Sequence, residues 1–181
     1  MTVEQMDVTS AYLNGTLPKE IYMEKPELLS ECLKVIVSDV KEESQIKKTA
    51  RELLNCLKEK KDLVCRLNKA IYGLRQAGRQ WHNRLSQKLK KMGFKSTVTD
   101  PCVYYSRRDE STLFMITYVD DMLIISRNVG WIAEIKRQLA NEFEIKDLGK
   151  AQYCLGIEIE QTSGTIVISQ KRYILDLLER F

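Results

Sequence analysis

Two adjacent carboxylates, Asp120 and Asp121, sit in the middle of an apolar run. Leu113-Phe114-Met115-Ile116-Thr117-Tyr118-Val119 leads into them and Met122-Leu123-Ile124-Ile125 follows. A carboxylate taken out of water without a partner loses several kcal/mol of hydration. The simplest compensation is a hard divalent cation, which takes oxygen ligands. A hairpin that delivers paired Asp to such an ion suits phosphoryl transfer, where metal ions hold and neutralise phosphate oxygens. Asp-Asp is also ordinary turn chemistry, because Asp tolerates turn dihedrals and bonds its own backbone. The apolar flanks favour the ion. They run without alternation, which predicts strands buried on both faces or central in a sheet.

Tyr118-Val119-Asp120-Asp121 matches motif C of reverse transcriptases. Around it lie Met6-Asp7-Val8-Thr9-Ser10-Ala11-Tyr12-Leu13-Asn14-Gly15, Ile71-Tyr72-Gly73-Leu74-Arg75-Gln76-Ala77-Gly78-Arg79-Gln80-Trp81 and Tyr153-Cys154-Leu155-Gly156-Ile157-Glu158-Ile159, with Asp147-Leu148-Gly149 before the last. In this order, from about Gln5 to Phe181, the segments resemble the copia-type reverse transcriptase of LTR retrotransposons. The resemblance implies an RNA-directed DNA polymerase that adds deoxynucleotides to a primer 3′-hydroxyl. It implies two Mg²⁺ ions, with Mn²⁺ able to substitute, held by Asp7, Val8, Asp120 and Asp121. Asp7 and Asp120 would bridge both ions, Asp121 being less directly involved. One ion would lower the pKa of the 3′-hydroxyl and the other would hold the triphosphate and the leaving pyrophosphate. By its residue type alone, Asp7 is equally a solvated strand-end carboxylate.

Tyr12 lies five positions after Asp7. In the family an aromatic there packs under the incoming sugar and clashes with a ribose 2′-hydroxyl; a core aromatic is the alternative. Gln76 and Arg75 are expected at the nucleotide, and Arg79 and Tyr118 at template and primer. Both Arg residues read equally as a solvated helix start. Gly78 stands where the family often has Pro, and Trp81 is expected as a core anchor. Lys146 would protonate the leaving pyrophosphate, although a charged loop residue is usually only solvated. Leu155-Gly156 resembles the primer grip, with a plain edge hairpin as the alternative. Expected partners are an RNA template, a DNA primer, deoxynucleoside triphosphates, and the RNase H and integrase of a Pol polyprotein.

Composition sets wider bounds. The chain has 181 residues, 44% apolar and 30% charged, enough for one domain with a real core. A net charge of +4 is compatible with nucleic acid without being diagnostic. Five scattered Cys argue against a disulfide framework and for a reducing, intracellular setting. The resemblance implies a cytoplasmic virus-like particle, or the nucleus. One His and no paired Cys argue against zinc. No stretch is apolar for long enough to span a membrane. Both ends look abrupt, so the expectation is a segment of a longer polyprotein whose fingers and RNase H lie elsewhere. A catalytically silent or co-opted fragment that binds nucleic acid or a protein is the rival. A nucleotide cyclase uses similar carboxylates, but the Gln76 and Leu155-Gly156 segments argue against it.

The elements that must position these residues follow from periodicity. Gln5–Val8 is predicted as a strand, with a turn at Asn14-Gly15. Short strands are expected at Ile21–Met23 and Val64–Leu67. Between them, about residues 27–62, a pair of amphipathic helices forms an insertion packed by one face, with Ser38-Asp39 as an N-cap. Its mixed charges leave a nucleic-acid-gripping helix as the lesser reading. Trp81, Leu85, Leu89 and Met92 define a helix that Gly93 ends. Cys102–Tyr105, Leu113–Tyr118 and Met122–Ser126 are predicted strands. Ile132, Ile135, Leu139 and Phe143 mark a second core helix. A hairpin follows around Thr162-Ser163-Gly164. The last helix is expected to be capped by Ser169 and to bury Tyr173, Ile174, Leu177 and Leu178. The order strand, helix, strand pair, helix, strand predicts an α+β fold. It is a ferredoxin-like antiparallel sheet with helices on one face, which is the polymerase palm if the resemblance holds. On that reading residues 1–181 form one reverse transcriptase segment, with partial fingers and the start of a thumb or connection at about 165–181.

Overall fold

The computed structural model describes residues 1–39, 41–59 and 62–181. In chain order the elements are β1 (Thr2–Val8), a 3₁₀ turn (Ala11–Asn14), β2 (Tyr22–Glu24), α1 (Leu29–Ser38), α2 (Ser44–Glu59), β3 (Val64–Arg66), α3 (Ala77–Lys91), β4 (Lys95–Ser96), β5 (Val103–Arg108), β6 (Ser111–Tyr118), β7 (Asp121–Ser126), α4 (Val129–Ala140), β8 (Ile145–Lys150), β9 (Tyr153–Cys154), β10 (Ile157–Thr162), β11 (Thr165–Ser169) and α5 (Lys171–Arg180). They form two compact units, residues 1–16 with 69–181, and residues 17–68.

The first unit is built on a six-stranded sheet of order β4-β5-β6-β7-β1-β8, antiparallel at every neighbouring pair. The sequence β1-α3-β6-β7-α4-β8 lies in the spatial order β6-β7-β1-β8. That is the split β-α-β arrangement predicted from the chain. Alternation decides what each face meets. Met6, Val8, Leu113, Met115, Met122 and Ile124 point to one side and pack on Trp81, Leu85 and Leu89 of α3 and on Ile132, Ile135 and Leu139 of α4. Asn128 starts α4 by accepting a hydrogen bond from the Trp131 N–H at 3.0 Å.

The expectation of strands buried on both faces is corrected at β6. Phe114, Ile116 and Tyr118 are 37%, 36% and 59% exposed, so only the helix side of this strand is covered. The run lacks alternation because its outward residues are apolar too. On β1 and β7 the outward Val3, Leu123 and Ile125 meet Ala151, Cys154, Ile157 and Ile159 in a second, smaller core.

Asp147-Leu148-Gly149, read as a loop, belongs to strand β8, which pairs with β1. The segment is an edge strand with polar residues, so periodicity did not reveal it. Gln5 faces Gly149 and Met6 faces Asp147, which leaves Leu148 as the extra residue of a bulge. Gly149 supplies the φ of 70° the bulge needs. Behind it, buried Lys136 of α4 pairs with both Glu4 and Asp147.

The β9–β11 sheet has the order β11-β10-β9. Two expectations for α5 are corrected. Ser169 does not cap it: its hydroxyl donates to Glu158 Oε2 at 2.9 Å, and Glu158 accepts from the Arg172 N–H in its place. Nor does α5 bury its apolar stripe; Tyr173, Ile174 and Leu178 are exposed and only Leu177 is partly covered.

The second unit pairs β2 with β3 and packs α1 on α2, burying Leu33 and Ala50. It spans residues 17–68, with α1 and α2 inside the 27–62 stretch. Residues 40, 60 and 61 of that stretch lie outside the described residues. Ser38-Asp39 is not an N-cap. Ser38 is the last residue of α1 and donates to the Val35 carbonyl at 2.9 Å, while Asp39 Oδ1 accepts from the Lys41 N–H. Both side chains satisfy local backbone at a helix end, a use that competes with capping.

Candidate active site

The antiparallel register of β1 and β7 sets Asp7 directly opposite Asp121. Their neighbours Met6, Val8 and Met122 point into the helix-covered core, so both carboxylates leave the sheet by its other face. Facing positions on one side of an antiparallel pair place Cβ atoms about 4.5–5.5 Å apart. Tyr118 pairs with Asp121 across the hairpin and is exposed on the same face.

Val119 and Asp120 form the turn between β6 and β7. Val119 has φ 52°, a left-handed conformation that costs a β-branched residue about 1–3 kcal/mol. Two bonds hold the turn there. The Trp81 indole N–H donates to the Val119 carbonyl at 2.7 Å, and the Val8 N–H donates to the Asp120 carbonyl at 2.8 Å. Trp81 is thus the buried core anchor expected, and it also ties the turn to α3. The Val8 side chain is fully buried, so only its backbone is directed at this turn.

Asp120 itself is half satisfied. Its Oδ2 accepts the Tyr72 hydroxyl at 3.1 Å, while Oδ1 is buried without a hydrogen-bond partner among the described residues. Burial pushes its carboxyl above the usual carboxylate range, and the charges of Asp7 and Asp121 push the same way against the Tyr72 hydrogen bond. Asp121 Oδ1 accepts from Gln5 Nε2 at 3.1 Å. Among the described residues, no three His, Cys, Asp or Glu side chains stand close enough to hold a metal as they are. The donor set nonetheless suits a hard divalent ion: three carboxylates that repel one another, one with an orphaned buried oxygen.

The other expected site residues fall at different places. The Tyr12 ring lies 4.5 Å from that of Tyr72, tilted by 40°. A Cβ on Gly78 would stand 3.6 Å from the Tyr12 hydroxyl, an ordinary contact, so glycine is not demanded there for space. Lys146 is in β8, not in a loop, and sits opposite Asp7. Its neighbour Ile145 packs on the helix-side core, which turns Lys146 to the carboxylate face. Gln76 immediately precedes α3, flanked by the exposed Arg75 and Arg79, neither ion-paired among the described residues. The three make no bond to the carboxylates. Leu155 and Gly156 form the turn between β9 and β10, with φ of 50° and 82°. The preceding Cys154 is buried, and burial followed by the charge of Asp121 pushes its thiol up.

Three contributors escaped the sequence reading. Gln5 was within reach, being two residues before Asp7 on the same strand face. Tyr72 stands in the Ile71–Trp81 segment without an assigned role, and no spacing rule links it to Asp120. Cys154 lay in a segment read through the turn that follows it.

The family model for "Reverse transcriptase (RNA-dependent DNA polymerase)" matches residues 35–181. This chain belongs to the reverse transcriptase family. It is 40% identical over its full length to the Retrovirus-related Pol polyprotein from transposon TNT 1-94 of Nicotiana tabacum. It is 33% identical over 98% of its length to that from transposon RE2 of Arabidopsis thaliana. It is 29% identical over 93% of its length to a putative transposon Ty5-1 protein of Saccharomyces cerevisiae. The chain spans 12%, 10% and 47% of those relatives, respectively. No solved structure matches it. The resemblance to retrotransposon reverse transcriptases read from the motifs is borne out by these matches.

Proposed function

We propose that this reverse transcriptase chain is the palm of an RNA-directed DNA polymerase, part of a retrotransposon Pol polyprotein, and that it extends a DNA primer on an RNA template. One observation carries the reading: Asp7 and Asp121 face each other on the side of the sheet away from α3 and α4, beside an oxygen of Asp120 that is buried without a partner among the described residues. Divalent ions such as Mg²⁺ serve this family, and Asp7, Asp120 and Asp121 would hold them here, with the Val8 backbone alongside. Bound there, such ions supply charge neutralisation on the triphosphate and a more acidic primer hydroxyl.

The chain's own residues do the rest. The Tyr12 ring sits under the sugar and excludes a 2′-hydroxyl by bulk. Lys146, on the carboxylate face opposite Asp7, gives a proton to the leaving pyrophosphate. Gln76 and Arg75 meet the incoming nucleotide. Arg79, Tyr118 and the Leu155-Gly156 turn position template and primer. The uncovered apolar side of β6, with Phe114, Ile116 and Tyr118, is a surface on which primer–template can lie. RNase H and integrase of a Pol polyprotein are the further partners that the motif resemblance implies.

Primer extension on an RNA template with Mg²⁺ or Mn²⁺ tests this. Asp120→Asn is expected to lower the rate by at least about 100-fold, the scale of losing one charge-stabilising group. Equal extension by wild type and variant would falsify the carboxylate assignment.

A further inference from the structure

Tyr72 occupies the turn in which the Leu74 N–H donates to the Ile71 carbonyl at 3.3 Å. Gly73 follows it with φ 95° and open space where a side chain would be. The tyrosine is 50% exposed, so no core holds its ring. Two contacts do. Its hydroxyl donates to Asp120 Oδ2 at 3.1 Å, and its ring rests on Tyr12 with centroids 4.5 Å apart. These partners are the residues assigned above to the ion and to the sugar. Since Asp120 Oδ1 has no hydrogen-bond partner among the described residues, the Tyr72 hydroxyl is what satisfies that carboxylate.

We propose that Tyr72 is a latch on the nucleotide site: its hydroxyl stands in for the cation on Asp120 and its ring covers Tyr12, and entry of a divalent cation with a nucleoside triphosphate displaces both contacts. The latch rests on the reading of Asp7, Asp120 and Asp121 as ion-binding carboxylates. A ligand that needs Asp120 Oδ2 binds only the released form, so its apparent affinity falls by the fraction of molecules still latched. The exposed turn, with glycine at a positive φ, lets the ring swing without disturbing the core. Closed, the latch keeps an otherwise repelling carboxylate satisfied.

Mn²⁺ binding to the full chain, read by the paramagnetic resonance of the free ion, tests this with Tyr72→Phe and Asp120→Asn. Tyr72→Phe keeps the ring and removes the competing hydroxyl; it is expected to bind Mn²⁺ about 3- to 10-fold more tightly, the worth of one hydrogen bond. Asp120→Asn is expected to bind at least about 10-fold more weakly. Amide exchange gives a second readout. Mn²⁺ should speed exchange of the Leu74 amide in wild type, whereas in Tyr72→Phe it should already be fast and indifferent to the ion. Equal or weaker binding by Tyr72→Phe, with Asp120→Asn impaired, overturns the latch and leaves the carboxylate assignment standing. Equal binding by wild type and Asp120→Asn overturns both.

Discussion

At Asp120 the requirements of the site and of the fold oppose each other. Burial, then Asp7 and Asp121, raise its carboxyl above the usual range. A carboxyl with a raised folded pKa holds its proton more tightly in the folded state. Its favourable contribution is therefore full below the unfolded pKa and is lost as pH rises through the folded one. At pH 7 the ionised group opposes folding. Asp120→Asn removes that charge and keeps an oxygen for the Tyr72 hydroxyl. Thermal unfolding at pH 7 should shift up by about 1–3 °C, a small gain because the group is partly solvated and screened. The gain should shrink as pH falls through the carboxylate range, where Asp120 is neutral without mutation. A variant that melts at or below the wild-type temperature at pH 7 would rule out this electrostatic cost. The trade is familiar in functional sites, where stability is given up for chemistry.

Helices α3 and α4 could be read from the sequence by their periodic apolar faces, and strands β6 and β7 by an unbroken apolar run on either side of the two Asp. The strand pleat and the β1–β7 register then set Asp7 and Asp121 on one side. Strand β8 was not legible. Its residues Ile145-Lys146-Asp147-Leu148-Gly149-Lys150 are mostly polar, and its place comes from long-range pairing with β1 and from the Lys136 contacts to Glu4 and Asp147. Tyr72 was hidden for a related reason: only the folded chain brings it to Asp120. Docking of the β9–β11 sheet depends on another such contact. The Gln161 side chain imitates a strand, accepting from the Val3 N–H at 2.9 Å and donating to the Val3 and Ala151 carbonyls at 2.8 and 2.9 Å. Gln161→Glu keeps the shape but turns a donor into an acceptor facing two carbonyls. A loss of about 1–3 kcal/mol is expected. It should be local, with amide exchange rising across β9–β11 while β6 and β7 stay protected. Uniform change across all strands, or none, would mean that Gln161 does not hold this sheet in place.

Across the whole chain, the path through the first unit is interrupted at a single place. The Ala70 N–H donates to the Gly15 carbonyl at 3.0 Å, so the backbone leaves and re-enters this unit at neighbouring points. The exit, at Gly15, is crowded: a Cβ there would stand 3.0 Å from Gln80 Cβ and 3.2 Å from Ala70 Cβ and the Trp81 nitrogen, so these neighbours would have to give by a few tenths of an ångström. The residues of both cores of the first unit lie outside residues 17–68. The second unit keeps its own ladder and helix pair. A loop's length adds only about 0.6 kcal/mol of closure cost per doubling. Replacing residues 17–68 by a short Gly-Ser linker should therefore leave the six-stranded sheet folded, at no cost in closure entropy. The expected result is a cooperative thermal transition with the near-ultraviolet dichroism of Trp81 and Trp131 retained. Both indoles are buried in the core of the first unit, so they report its packing directly. Retained far-ultraviolet signal with that near-ultraviolet signal lost would describe a molten globule. The sheet would then depend on residues 17–68 for its packing, and the two units would not be separable in folding.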